Sequence, residues 1–479
     1  MEDLEGHPAL AAASAAARAH LDGLRERRVG ATTDVTGQGV TGQEVAGQEV
    51  AGQDLQAAFG GSMPAHGSEP ADVVQRLVVA AGPGLVASSG PRYFGYVVGG
   101  TLEAAMAADW LAVAWDQVAG LEVMSPAAAA VEEVTGGWLL DLLGLPTEAS
   151  FGFPTGAQMA NFTALATARH AVLDRVGWDV EADGLQGAPR VQVVVGGQVH
   201  ATVPQALRFA GLGSRPDVAE SDDQGRMRPG ALEQVLRRDG GPVIVCAQAG
   251  NVNTGAFDPF DDLADLCASF GGWLHVDGAF GLWAGASDRL RPLVGGVARA
   301  DSWATDCHKW LNVPYDSAFV ATRDPVAHVA AMSWEAPYVV PGAGREPYRY
   351  VPEASRRARG FAIWSALVQL GRDGVADLVD RSCAHALRFA SALADADPGV
   401  EVLNDVVLNQ VLVRFDDSDD VTRAVITGVQ DGGEAWIGGS TWQGGAVMRI
   451  SVSGWMTTAE DVHRSVAAVL TALAAVRRQ

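Results

Sequence analysis

From about residue 70 onward, the apolar and polar positions of the chain alternate between two rhythms. Short apolar runs at 191–195, 243–247, 273–276 and 317–321 read as buried strands. Between them lie stretches with helical spacing, such as 159–176 and 260–270. That alternation predicts an α/β fold, a mostly parallel sheet with helices on both faces. After about residue 355 the rhythm changes. A long helix is expected over 355–370, continuing to 394, and it leads into a smaller α+β piece. The strands of that piece are expected at 411–415 and 446–452, and its last helix at 459–476. Upstream, residues 8–28 are Ala-rich, carry Leu21 and Leu24 among arginines, and predict a helix. A repeat follows: Thr36-Gly-Gln-Gly-Val, Thr41-Gly-Gln-Glu-Val, Ala46-Gly-Gln-Glu-Val, Ala51-Gly-Gln-Asp-Leu. Its five-residue period suits neither helix nor strand and reads as a mobile low-complexity insert. These shifts divide the chain into an N-terminal segment (1–75), a large domain (76–354) and a small C-terminal domain (355–479).

Composition narrows the setting. Hydrophobic residues at 48% and charged residues at 19% predict a soluble globular protein. The formal charge of −23 argues against nucleic acid or an anionic membrane as partner. Cys246, Cys267, Cys307 and Cys383 show neither metal-ligand nor CxxC spacing, which predicts reduced thiols and a cytoplasmic location. The acidic start Met1-Glu-Asp-Leu-Glu has no signal-peptide pattern, and the apolar stretches fall short of a membrane span.

Two apolar runs end in residues that carry chemistry. His275-Val-Asp-Gly-Ala-Phe280 supplies Asp277, and Ser302-Trp-Ala-Thr-Asp-Cys-His-Lys-Trp310 supplies Lys309. Asp277 could equally be a cap or turn residue and Lys309 a surface residue. The lysine count weighs against that: Lys309 is the chain's single lysine, all other basic side chains with a permanent charge being arginine. A desolvated lysine can lose its proton and become a nucleophile, which arginine cannot. An amine together with a buried carboxylate is what pyridoxal 5'-phosphate (PLP) requires. The amine condenses with the cofactor aldehyde, and the carboxylate holds the pyridine nitrogen protonated. Further polar positions fall where a parallel sheet places its ligands, beyond the carboxyl ends of strands. Phe153-Pro-Thr-Gly-Ala-Gln-Met-Ala-Asn161 opens a helix and offers either an anion site or an ordinary cap. His200 follows the run 191–199 and could stack on a ring or serve as a loop histidine. Gly250-Asn-Val-Asn-Thr-Gly-Ala-Phe-Asp-Pro259 is a polar turn after another strand.

In chain order, Pro91-Arg-Tyr-Phe-Gly-Tyr96, Ser125-Pro-Ala-Ala, Gly156-Ala-Gln, His200 with Ala206-Leu-Arg-Phe-Ala-Gly-Leu-Gly213, Gly255-Ala-Phe-Asp-Pro259, Val276-Asp-Gly-Ala279 and His308-Lys-Trp310 form a series. With this series the chain resembles the group II PLP-dependent amino-acid decarboxylases, whose members act on aromatic amino acids, glutamate and histidine. The resemblance covers nearly everything after about residue 70. It implies PLP fold type I, aspartate-aminotransferase-like, with sites at a homodimer interface and an amino acid as substrate. It also implies roles for single residues. Lys309 would hold the cofactor aldehyde, Asp277 the pyridinium nitrogen, and His200 and Ala279 the two faces of the ring. Gly156, Ala157, Gln158 and His308 would surround the phosphate, and Tyr93 and Phe94 would line the substrate pocket. Two positions depart from the family pattern. Asp306-Cys307 stands where many relatives have Asn-Pro, placing an extra carboxylate near the phosphate, and Gln158 stands in for the usual serine.

The resemblance further implies a mobile loop with a tyrosine that protonates the carbanion left by CO2 loss. By spacing to Arg356, Arg357 and Trp364, Tyr348 matches it best and Tyr350 second; the other reading of Tyr348 is packing at a dimer seam. The leading expectation is decarboxylation of an L-amino acid. The alternatives are an aminotransferase, for which Arg449 could bind a carboxylate, an aldehyde-forming relative, and a PLP-fold protein without catalysis.

Overall fold

The computed structural model describes residues 6–31, 55–339, 342 and 344–478. The five-residue repeat lies outside the described residues except for Leu55.

A seven-stranded sheet organises the chain. Its strands are β1 (Ser150–Gly152), β2 (Gln192–Gly196), β3 (Asp217–Ala219), β4 (Val243–Gln248), β5 (Trp273–Asp277), β6 (Ser302–Asp306) and β7 (Ala318–Thr322). They lie in the order β1-β7-β6-β5-β4-β2-β3. Strands β3, β2, β4, β5 and β6 pair parallel, whereas β7 runs antiparallel to both its neighbours. Every residue of β2, β4, β5, β6 and β7 is buried. Both sheet faces are therefore covered, which is why most of these strands read as apolar runs without alternation, whereas β6 buries the polar Ser302, Thr305 and Asp306. The helix Ala157–Asp174 packs across β5, β6 and β7. Ala160 and Ala164, one turn apart, meet Ala304, Ala318 and Val320 in a small-residue seam. The helix Phe260–Ser269 covers β4 and β5 from elsewhere in the core.

The second sheet has four antiparallel strands in the order β10-β11-β9-β8. These are β8 (Val400–Val402), β9 (Gln410–Phe415), β10 (Gly438–Trp442) and β11 (Gly445–Ser451). The helices Asp419–Gly432 and Ala459–Val476 pack against each other, and their apolar faces join β9 and β11 in one core. Thr458 and Asp461 cap the second helix reciprocally, satisfying two of its orphan N–H groups. A segment from early in the chain stitches onto this sheet: Phe94 N–H donates to the Trp436 carbonyl at 2.8 Å, and Ser451 N–H to the Phe94 carbonyl at 3.0 Å.

The long helix expected from residue 355 begins at Gly360 and runs to Ala396, with a break at Gly371 (φ 62°, ψ 179°). Glycine is the residue that adopts this backbone without strain. The N-terminal helix spans Pro8–Gly23 and buries none of its residues.

Candidate active site

Loops leaving the carboxyl ends of β2, β4, β5 and β6 converge on one cleft. Its walls include Ala157, Gln158, His200, Gln248, Gly250, Asp277, Ala279, Asp306 and Lys309. Sheet pairing explains the convergence. Gln248 is in register with Asp277, and Asp277 with Ala304, so residues far apart in sequence end level with one another. Larger hollows near Arg190 and Arg215, and near Arg414 and Trp442, hold no such set of groups.

Asp277 closes β5 and is 6% exposed. Its Oδ1 accepts the Ala279 N–H at 3.1 Å. Burial pushes this carboxyl above the ordinary carboxylate range, opposed by the charges of His200 and Lys309. A buried carboxylate under that pressure is stabilised by a cation placed against it, and a pyridinium nitrogen is such a cation. Behind it, His275 bridges Ser302 Oγ (2.9 Å) and Asn161 Oδ1 (2.9 Å), tying β5 to β6 and to the Ala157–Asp174 helix. His200 is held through Nδ1 by the Thr202 hydroxyl at 2.7 Å. Burial lowers its pKa, with further lowering from Lys309 and Arg449 and an opposing pull from Asp277, so the neutral imidazole is favoured.

Lys309 follows β6 in a tight turn. Its Nζ lies 2.8 Å from Asp306 Oδ2. Asp306 Oδ1 in turn accepts the Ala157 N–H at 2.5 Å, at the first residue of the Ala157–Asp174 helix. His308 packs beside them. Its Nε2 is 3.4 Å from Asp306 Oδ1, its Nδ1 accepts the Ser317 N–H at 3.2 Å, and its ring lies 4.3 Å from that of Tyr315. Gly99 permits the lysine turn to sit so close: a Cβ there would stand 1.8 Å from the Lys309 carbonyl oxygen.

Some expected residues are elsewhere. Phe94 is 1% exposed and packs edge-on against Phe389, 4.9 Å between ring centres, inside the core of the smaller sheet. Its backbone bonds to residues 436 and 451 fix that direction, so it does not line a substrate pocket. Tyr93 stacks on Trp436 at 5.1 Å, and Trp436 on Tyr96 at 5.6 Å. Of these rings, Tyr96 is the one on the cleft wall, beside Val97. Burial pushes the Tyr93 hydroxyl up to about 12. Tyr348 is also not at the cleft. It is 4% exposed, its hydroxyl donates to the Trp334 carbonyl at 3.4 Å, and its ring packs on Trp334. Tyr338, by contrast, is 81% exposed. Val97, Thr202 and Gln248 line the cleft from outside the stretches singled out from sequence, and Tyr96, Val252 and Phe280 line it from inside such stretches without a role having been expected of them individually. Tyr96 and Val97 adopt positive φ (59° and 71°), unusual for such side chains and invisible in the residue pattern. Arg449 donates to the Val252 carbonyl at 3.3 Å, directly behind that wall.

An amine, a buried carboxylate and a neutral imidazole at the carboxyl ends of parallel strands define the donor set of a PLP-dependent enzyme of fold type I. The pyridoxal-dependent decarboxylase conserved domain matches residues 54–416, three quarters of the chain. The chain belongs to the pyridoxal-dependent decarboxylase family, and its cofactor is PLP. Among its relatives, the aromatic-L-amino-acid decarboxylase of Bacillus atrophaeus is 32% identical over 268 residues, spanning 55% of this chain and 54% of that enzyme. Tryptophan decarboxylase 1 of Oryza sativa subsp. japonica is 28% identical over 437 residues, spanning 83% of each. The fold matches that of Oryza sativa TDC solved with PLP and tryptamine, with a TM-score of 0.88 over 99% of each chain at 22% identity.

Proposed function

We propose that the protein decarboxylates an L-amino acid to the corresponding amine and CO2. The single observation that carries this is the convergence of Lys309, Asp277 and His200 on one cleft in a chain of this family. PLP, when bound, supplies an electron sink for the pair left at the substrate Cα. The chain supplies everything else. Lys309 gives the amine that anchors the cofactor aldehyde. Asp277 keeps a proton on the ring nitrogen. His200, favoured as the neutral form, covers one ring face without adding a second cation, and Ala279 is small enough to cover the other. Gly156, Ala157, Gln158 and His308 receive the phosphate. Val97, Val252 and Phe280 give the cleft apolar walls, which favour an uncharged product over a carboxylate.

The proton returned to Cα is assigned to a tyrosine of the 333–350 stretch acting as general acid. Tyr338 suits this role better than Tyr348, because Tyr348 is buried against Trp334 whereas Tyr338 is exposed and can swing to a cleft.

The working unit in this reading is a homodimer. Trp110, Leu111, Val113 and Trp115 are each at least 47% exposed, as are Val123 and Met124 nearby in sequence. An apolar surface of that kind suits a second copy better than water. The Pro8–Gly23 helix, with no buried residue, suits the same interface. Four buried, unpaired cysteines are consistent with a cytoplasmic location. No helix among the described residues is long and apolar enough to cross a membrane.

The test is CO2 release and amine formation across the standard L-amino acids with PLP present. One substrate class giving both in equal amounts is expected. Keto acid and pyridoxamine phosphate without CO2 would replace this reading by transamination.

A further inference from the structure

Asp306 closes β6 three residues before Lys309 and is 2% exposed. Its carboxylate engages two of the partners that PLP requires. Oδ1 accepts the amide of Ala157 at 2.5 Å, and Oδ2 pairs with the Lys309 ammonium at 2.8 Å. The Ala157 amide opens an 18-residue helix, whose first N–H groups and dipole favour an anion. That is the natural seat of the cofactor phosphate. Gly156 has no side chain, and a Cβ built there would lie 3.6 Å from Asp306 Oδ1 and 3.5 Å from His308 Cε1. His308 Nε2 stands 3.4 Å from the same oxygen. Two anions within reach of one amide repel each other strongly, and burial weakens the screening that would soften this.

We propose that Asp306 is a built-in competitor for the phosphate of PLP. The carboxylate holds the helix amide and the lysine amine until the cofactor displaces it. Cofactor affinity is thereby lowered and occupancy follows the PLP supply. The inference rests on the PLP-dependent reading of the cleft. Asparagine is the discriminating replacement, because it keeps the shape and the acceptor for Ala157 N–H while its amide can donate to a phosphate oxygen.

The experiment uses full-length protein stripped of cofactor with hydroxylamine. Dissociation constants for PLP and for pyridoxal, which lacks the phosphate, are measured by tryptophan fluorescence for wild type, Asp306→Asn and Asp306→Ser. Loss of the Lys309 pair affects both ligands, so the readout is the pyridoxal-to-PLP ratio of dissociation constants. In both variants that ratio should rise at least tenfold, about 1.4 kcal/mol of phosphate-specific affinity. Without added cofactor, Asp306→Asn should melt below wild type, having lost an ion pair and a helix-terminal charge, yet gain more from PLP. An unchanged or lower ratio overturns the proposal. Borohydride mapping separates the two readings. If a pyridoxyl group is trapped on Lys309 while the ratio stays flat, the competitor role alone is refuted. If no adduct forms in any protein, the PLP reading falls and this proposal with it.

Discussion

Asp277 shows how much one side chain can decide. Its burial raises the cost of its own charge, and in the proposed role a ring-nitrogen cation offsets that cost. Asp277→Asn removes the charge and keeps the shape. Turnover should fall by roughly 10²–10³, the usual loss for one preorganised electrostatic partner. Borohydride trapping on Lys309 should persist, and near-normal turnover would contradict the role. The tyrosines give a second comparison. Tyr338→Phe should cut amine formation while leaving PLP binding intact, and should raise aldehyde or pyridoxamine phosphate as side products. Tyr348→Phe loses only a 3.4 Å hydrogen bond to the Trp334 carbonyl and should cost about 1 kcal/mol of stability at most. Product ratios for the two variants side by side decide which tyrosine serves the reaction. Sequence spacing pointed to Tyr348 because spacing ignores burial. Exposure of 81% against 4% separates the two only once the chain is folded.

Among the elements, four of the five fully buried strands and the long helices were legible, whereas β6, with its polar Ser302, Thr305 and Asp306, and the short strands were not. Val243–Ala247 is an unbroken apolar run, and Trp273–Val276 is interrupted only by His275, because helices cover both faces of the sheet. β1, β3 and β8 have three residues each, too few to show any period. Lys309 and Asp277 stand out in the sequence because Asp277 ends an apolar run and because the chain has no second lysine. Phe94 was misplaced because its direction is set by backbone bonds to Trp436 and Ser451, partners more than three hundred residues away. Those long-range pairings leave no local mark. One element-level contact carries its own prediction. The 97–100 turn crosses the Lys309 turn so closely that Gly99→Ala must push the Lys309 backbone aside. Overpacking of this kind costs typically 1–3 kcal/mol. A lower melting temperature together with weaker PLP binding is expected; a variant unchanged in both would show that the turns can part freely.

At the scale of the whole molecule, acidity should be a sharper threat than the net charge suggests. His275 is locked between β6 and the Ala157–Asp174 helix, while His328 bridges Ser150 Oγ (2.8 Å) and the Tyr350 carbonyl (3.0 Å). Burial lowers both from the ordinary 6.5 to about 3. Above pH 6.5 neither state of the chain binds these protons. Between about 6.5 and 3 the unfolded chain takes them up and the folded chain refuses them, so stability falls as pH falls. The loss is up to about 1.4 kcal/mol per pH unit for each histidine. Chemical denaturation at pH 7 and pH 5 should show it, and His275→Asn should flatten the slope. Light scattering should report a dimer; a fully active monomer would contradict the apolar surface as an interface. The solitary lysine has a practical corollary. Its side chain is 21% accessible, and an acylating reagent will find no competing ε-amine anywhere on the chain. Beyond the α-amino group, reagent uptake therefore counts functional centres directly, and the portion that PLP blocks is a titre of intact ones.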